Sequence, residues 1–211
     1  MNALNILAVG AHPDDIEFGV GGTLLKHRAS GDNVQIIILT SGELGGSDPD
    51  IREREAAEAA AMLDAEITFC RLPDGSVPDG KPTIDVIERV IRKFSPNTAY
   101  IHSIHDTHQD HRAAALASQV ALRPASRLYA YQAPSATTGF TPQRYPDITP
   151  YLEPKMNLIR AHKSQHEMRG YLDEDYVTST ARYWGLRAGC HYTEPMEIIF
   201  DRDTQPDVFT A

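Results

Sequence analysis

The chain has 211 residues, of which 41% are hydrophobic and 23% charged, a composition that favours one folded domain over a disordered or membrane-spanning protein. Its formal net charge of -9 leaves no excess of Lys and Arg for a phosphate backbone, so we exclude nucleic acid as a main partner and expect a small molecule. No apolar run approaches the roughly 20 residues of a membrane helix. The N-terminus lacks the features of a signal peptide, and the two cysteines form no C-x-x-C motif, so we expect a cytoplasmic protein.

Short apolar segments rich in β-branched residues predict buried strands at residues 4–9, 34–39, 67–70, 98–102 and 128–131. Helical patterns lie between them, at residues 22–28, 51–63, 84–94 and 111–122. This alternation predicts an α/β fold whose central sheet is mostly parallel and covered on both faces.

Beyond residue 133 the chain is rich in prolines, and its periodicity predicts helices at 151–162 and 173–188 and a late strand at 196–200. We expect one domain over residues 1–211, with a core at 1–133 and a looped, helical extension at 134–211 that shapes the substrate pocket. The polar tail at 201–211 is expected to be disordered.

The first concentration of polar groups follows the first predicted strand, as Ala11-His12-Pro13-Asp14-Asp15. In open parallel sheets, ligands bind beyond the carboxyl ends of the strands. His12 and Asp15 are suitable zinc ligands, and Asp14 is suited to remove a proton from a metal-activated water. The ordinary alternative is that the two aspartates cap the following helix. Gly19, Gly21 and Gly22 are expected in the same loop, where Leu24 breaks the dinucleotide-binding spacing.

The second concentration follows the fourth predicted strand and carries four of the nine histidines, at positions 102, 105, 108 and 111. We expect a loop that becomes helical near Asp110. His111 is the predicted third metal ligand, and His108 is left to stabilise charge or donate a proton. For His102 and His105 an ordinary structural role is the stronger expectation.

Together these residues resemble the LmbE-like or PIG-L family of zinc-dependent N-acetylglucosaminyl deacetylases. The resemblance rests on A-H-P-D-D at 11–15 and H-x-D-H at 108–111, and extends to Asp106, to Arg52 and Glu55, and to His162-x-Ser164-Gln165. It implies a Rossmann-like three-layer domain with zinc on His12, Asp15 and His111, Asp14 as general base and His108 assisting. It also makes a homo-oligomer the expected assembly.

Two further residues are candidates for binding the substrate. The resemblance suggests that Arg52 holds the sugar, although an exposed helix pair with Glu55 is an equal alternative. Asp74 follows the third predicted strand, where a carboxylate can accept sugar hydroxyls. Many family members read H-P-D-D-E, whereas Ile16 here separates Asp15 from Glu17, so Glu17 has no assigned role beyond orienting the loop through backbone hydrogen bonds.

The sequence therefore predicts an enzyme that hydrolyses the acetamide of an N-acetylglucosamine-type conjugate, using Zn²⁺ or, in the cell, Fe²⁺ or Co²⁺. The identity of the conjugate stays open. The alternatives are a metal-dependent hydrolase of another acyl amide, an ester or a phosphoester, and a metal-binding protein without turnover.

Overall fold

A computed structural model describes residues 3–166 and 168–202. Its core is a six-stranded sheet of order β3-β2-β1-β4-β5-β6. The strands are β1 (Asn5–Gly10), β2 (Asn33–Ile38), β3 (Glu66–Phe69), β4 (Thr98–His102), β5 (Arg127–Tyr131) and β6 (Met196–Asp201). The first five strands pair in parallel, and β6 runs antiparallel to β5. This confirms the predicted mostly parallel sheet.

Helices cover both faces of the sheet and complete three layers. They are α1 (Asp15–Ala29), α2 (Pro49–Met62), α3 (Lys81–Phe94), α4 (Gln109–Ala121), α5 (Leu152–Ala161), α6 (Lys163–His166) and α7 (Glu174–Ala188). One apolar cluster joins alternate sheet residues such as Leu7 and Ile37 to α3 and α4. The other joins Ile6 and Ile36 to α1, α2 and α5. Because both faces are buried, the strands are apolar at successive positions.

Helix α1 begins at Asp15, seven residues before the predicted start at residue 22. Gly19, Gly21 and Gly22 therefore lie inside a helix, and their prediction as loop residues is wrong. The reason is packing: a Cβ on Gly19 would lie 2.3 Å from Cδ2 of Tyr131, and one on Gly22 would lie 3.0 Å from Ile148. Gly19 and Gly22 let α1 approach its neighbours, a tertiary requirement that overrides their poor helix propensity.

The part after β5 is irregular at first and then helical, with short 3-10 turns at Thr149–Tyr151 and Gly170–Leu172. Apart from Asp201 and Arg202, the tail predicted to be disordered lies outside the described residues. None of the helices described here has the length and apolar character needed to cross a membrane.

Candidate metal centre and active site

The candidate site lies where the strand order of the sheet reverses. After β1 the chain builds β2 and β3 on one side, then returns to place β4 on the other side of β1. The carboxyl ends of β1 and β4 therefore border a crevice, which is where open α/β sheets bind ligands. The segment after β1 supplies His12, Asp14 and Asp15, and the segment after β4 supplies His108 and His111.

The turn between β1 and α1 holds Asp14 in an unusual backbone conformation. Its φ is 100°, a region that non-glycine residues rarely adopt and that commonly marks functional sites. The Asp14 side chain makes no capping hydrogen bond, so the capping alternative does not hold for this residue. The Asp15 carboxylate instead accepts a 2.7 Å hydrogen bond from the backbone N–H of His12.

Asp15 lies between the two predicted histidine ligands. Its Oδ2 is 3.3 Å from Nδ1 of His12, and its Oδ1 is 3.3 Å from Nε2 of His111. All three residues are buried. Each histidine thus directs one ring nitrogen towards a different oxygen of the same carboxylate.

The opposite ring nitrogens meet further carboxylates. Nε2 of His12 lies 3.0 Å from Asp74 and 3.2 Å from Asp110, while Nδ1 of His111 lies 2.9 Å from Asp106. A carboxylate behind a ligating imidazole fixes its tautomer and orients the ring, an arrangement common at metal sites. The donor set therefore suits a divalent metal ion.

Three groups of side chains in the described part of the chain bring possible ligand atoms within 4.8 Å of one another: His12–His108–His111, Asp15–His102–His111 and His12–Asp74–Asp110. Each of the first two contains two of the three predicted ligands. None of these three groups contains all three predicted ligands, so the assignment of His12, Asp15 and His111 as one ligand set stays a prediction.

The charged side chains around His12, Asp15 and His111 shift one another's pKa values. Burial disfavours a charged His111 ring, but Asp15 and Asp106 outweigh that effect and raise the pKa of His111 to about 9. Burial would likewise raise the pKa of Asp15, yet the nearby His111 and His102 hold it well below its usual value. The site thus stabilises positive charge beside Asp15.

Burial raises the pKa of Asp14 to about 6, an effect that the neighbouring Arg52 partly offsets. Nη2 of Arg52 lies 3.4 Å from Oδ2 of Asp14 and donates a 2.8 Å hydrogen bond to the carbonyl of Pro13. Nη1 donates to the carbonyl of Gly42. Arg52 is buried, so it is not the exposed helix pair considered from the sequence. Its contacts hold the turn that carries Asp14.

His108 is the N-cap of α4, and its Nδ1 accepts a 3.3 Å hydrogen bond from the backbone N–H of Asp110. Burial, followed by the charges of His111 and His12, lowers the pKa of His108 below 6.5. The ring is therefore neutral at neutral pH, and the bond to Nδ1 places its hydrogen on Nε2.

These groups line a cavity of about 300 Å³. Its wall includes Asp74 and Arg52, the two residues predicted to bind substrate, together with five residues of the extension: Pro134, Ser135, Gln165, Arg169 and Tyr171. Both oxygens of Asp74 already have partners, His12 and the backbone N–H of Leu44. The substrate roles of Arg52 and Asp74 stay predictions.

Sequence reasoning missed two features of the site. His102 is fully buried, lies 3.1 Å from Asp15 and stacks on His111 with ring centroids 4.0 Å apart. Glu17 is buried, and its Oε2 lies 3.3 Å from Nε2 of His162. Contrary to expectation, no backbone N–H among the described residues donates a hydrogen bond to the Glu17 carboxylate. The position of His102 at the end of a predicted strand was a usable signal, whereas the Glu17–His162 pair depends on tertiary packing.

Residues 7–122 match the model of the PIG-L family, described as GlcNAc-PI de-N-acetylase. The chain belongs to this family. It is accordingly a deacetylase-family enzyme, a hydrolase of carbon–nitrogen bonds other than peptide bonds. The match includes both motifs of the site and ends before the extension that completes the cavity wall.

Two relatives extend the PIG-L similarity over more of the chain. The uncharacterised deacetylase YaiS of Escherichia coli is 31% identical over 75% of this chain and 90% of its own length. A diacetylchitobiose deacetylase of Thermococcus kodakarensis is 28% identical over 92% of this chain and 82% of its own length.

Solved structures confirm the fold. The conserved protein TT1542 of Thermus thermophilus superposes with a TM-score of 0.85 at 28% identity, over 96% of this chain and 98% of that one. The 4-carboxy-2-hydroxymuconate hydratase GalB of Pseudomonas putida has a TM-score of 0.81 at 24% identity, over 97% and 99% of the two chains. The second likeness concerns the fold alone, because one fold can carry different reactions.

Proposed function

We propose that this PIG-L family enzyme removes the acetyl group from the amide nitrogen of an N-acetylglucosamine-type sugar conjugate, with a bound Zn²⁺ and with Asp14 as general base. The observation that carries this proposal is the placement of Asp14 beside the His12–Asp15–His111 group at one wall of the cavity. A base next to three metal ligands suits hydrolysis better than a structural metal site, which is normally closed by four protein ligands.

His12, Asp15 and His111 would hold the metal, and Asp74, Asp106 and Asp110 would orient the two imidazoles. When bound, zinc would lower the pKa of a water and polarise the amide carbonyl. His and carboxylate ligands also accept Fe²⁺ or Co²⁺, either of which could serve in the cell.

Asp14 removes a proton from the attacking water. Its backbone is held at φ 100° and its turn is bound by Arg52. Burial raises the pKa of this carboxyl towards neutrality, which is where a general base is most effective. The protonated Asp14 then delivers the proton to the leaving amine, and acetate and the amino sugar depart.

His108 stabilises the oxyanion that forms at the former carbonyl. Because Nδ1 accepts from the backbone of Asp110, the neutral ring carries its hydrogen on Nε2 and can donate a hydrogen bond into the cavity. This role requires no protonated imidazole, in keeping with the lowered pKa of His108.

The residues of the cavity wall and the names of the relatives support a sugar as the substrate. The wall offers Arg52 and Asp74, and we propose that both contact the sugar. The Arg52 guanidinium has more N–H groups than the three acceptors it approaches, and each oxygen of Asp74 can accept a second hydrogen bond. The family description names GlcNAc-PI, and one relative is a diacetylchitobiose deacetylase. An acetamido sugar is therefore the first substrate class to test, and another acyl amide or an ester is the second.

The test is acetate release from a panel of N-acetylglucosamine, N,N'-diacetylchitobiose and aryl and lipid conjugates of N-acetylglucosamine. Zinc-loaded wild type is compared with Asp14→Asn and with Asp85→Asn, a control on the exposed side of α3. We expect release by the wild type and the control, and a loss of about 10²- to 10⁴-fold in Asp14→Asn with zinc still bound. No release from any conjugate, or an unaffected Asp14→Asn, would contradict the proposal.

A further inference from the structure

Tyr171 joins the extension to the proposed general base. Its hydroxyl donates a 3.2 Å hydrogen bond to Oδ2 of Asp14, across 157 positions of sequence. Arg52 approaches the same oxygen. No donor in the described part of the chain bonds the other oxygen, Oδ1. One carboxylate oxygen is therefore anchored by the protein and the other is left for the reaction.

The ring of Tyr171 is held by contacts that do not involve Asp14. It packs edge-to-face on Phe18, with ring centroids 6.4 Å apart and planes at 88°. The next residue, Leu172, is fully buried in a cluster with Phe18, Met156 and Val177. Since Phe18 lies in the first turn of α1, just after Asp14, the packing fixes the hydroxyl relative to the base.

The chemistry of the pair requires the phenol to be the donor. Burial, followed by the charge of Asp14, raises the pKa of Tyr171 above its ordinary value, so the hydroxyl keeps its proton. A hydrogen bond to an ionised carboxylate favours that ionised form and restricts its rotation. Asp14 needs both properties, because a base must be deprotonated and must direct one oxygen at the water.

We propose that Tyr171 is a positioning residue for the reaction, whose hydroxyl holds Oδ2 of Asp14 so that Oδ1 faces the cavity. The inference rests on the proposed role of Asp14 as general base. Tyr171 lies outside the residues matched by the family model, so the extension supplies this contact.

The test compares zinc-loaded wild type with Tyr171→Phe, which removes only the hydroxyl. Tyr183→Phe is the matched control, because Tyr183 lies exposed on α7 and contacts Trp184 and Arg187, which do not line the cavity. We expect Tyr171→Phe to lower kcat about tenfold, the effect of one hydrogen bond to a charged group, with KM and zinc affinity within about twofold. Tyr183→Phe should match the wild type. A raised KM with an unchanged kcat would overturn the proposal, because it would place the hydroxyl on the substrate.

Crystal structures of the zinc-loaded wild type and Tyr171→Phe provide a readout that does not depend on turnover. We expect the Asp14 carboxylate to rotate or to occupy two orientations in the variant. A carboxylate in the same single orientation in both proteins would overturn the proposal. Failure of the wild type on every acetamido sugar would instead overturn the proposed function, and the orientation of Asp14 would still decide the role of Tyr171.

Discussion

His111 uses one ring nitrogen for Asp15 and the other for Asp106. Oδ2 of Asp106 lies 2.9 Å from Nδ1 of the ring, and Oδ1 accepts a hydrogen bond from the backbone N–H of His108. An acceptor at Nδ1 keeps the hydrogen there and leaves the Nε2 lone pair for a metal ion. Asp106 is thus important although it does not line the cavity.

We expect Asp106→Asn to weaken zinc binding by about 10- to 100-fold, because its amide can donate to Nδ1 and favour the wrong tautomer. Competition with a chromophoric chelator measures the affinity, and Asp85→Asn on α3 is the control. An affinity within twofold of the wild type would show that Asp106 does not orient His111.

The sequence was most informative where residues close in the chain follow adjacent strand ends. Positions 12–15 follow β1 and positions 108–111 follow β4, and the reversal of strand order brings the two segments together. Tyr171 carries no such signal. Its contact with Asp14 depends on how the extension packs on α1, and nothing local in the sequence specifies that packing.

At the scale of the element, α1 must approach β5 closely to place its N-terminus at the site. Gly19 allows this, since any Cβ there would overlap the ring of Tyr131, which is itself bonded to the carbonyl of Val9. At Gly21 a Cβ would meet its nearest neighbour, Leu158, at 3.4 Å, an ordinary contact distance.

The two glycines therefore give opposite predictions in urea unfolding. We expect Gly19→Ala to lower the free energy of unfolding by about 1–3 kcal/mol through overpacking. Gly21→Ala should raise it by up to about 1 kcal/mol, because alanine is the better helix former. Equal effects of the two substitutions would mean that close packing does not explain the glycines of α1. The sequence alone could not distinguish them, since the partner of Gly19 comes from a distant strand.

In the molecule as a whole, a partly buried network lies at the opposite end of the sheet from the cavity. His27 bonds Asp32 through Nδ1 at 2.7 Å and Tyr100 through Nε2 at 2.8 Å. Burial lowers the pKa of His27 below 6.5, although Asp32 opposes the shift. At a pH between the two pKa values of His27, the ring is therefore neutral in the folded protein and protonated in the unfolded chain.

The contribution of His27 to stability should consequently fall as the pH drops below about 6.5, where only the unfolded state gains this proton. Above that value His27 is neutral in both states and its contribution is complete. We expect the loss of stability between about pH 7.5 and pH 5 to be smaller in His27→Gln than in the wild type, both measured in chelator. Parallel pH profiles for the two proteins would show that His27 does not contribute to acid sensitivity.

The predicted α/β architecture and its mostly parallel sheet are confirmed, because apolar strands alternate with helices along the chain and this order determines the layers. The boundaries differ most at α1, where glycines serve packing. The assembly as a homo-oligomer and the cytoplasmic location stay predictions.

The proposed catalytic metal is tested most directly by titrating chelator-stripped protein with zinc and measuring acetate release from the best conjugate of the panel. We expect no release by the stripped protein and full recovery with the first equivalent of zinc per chain, accompanied by a higher midpoint of thermal unfolding. Acetate release that persists without metal would contradict the assignment of His12, Asp15 and His111 as the ligands of a catalytic ion.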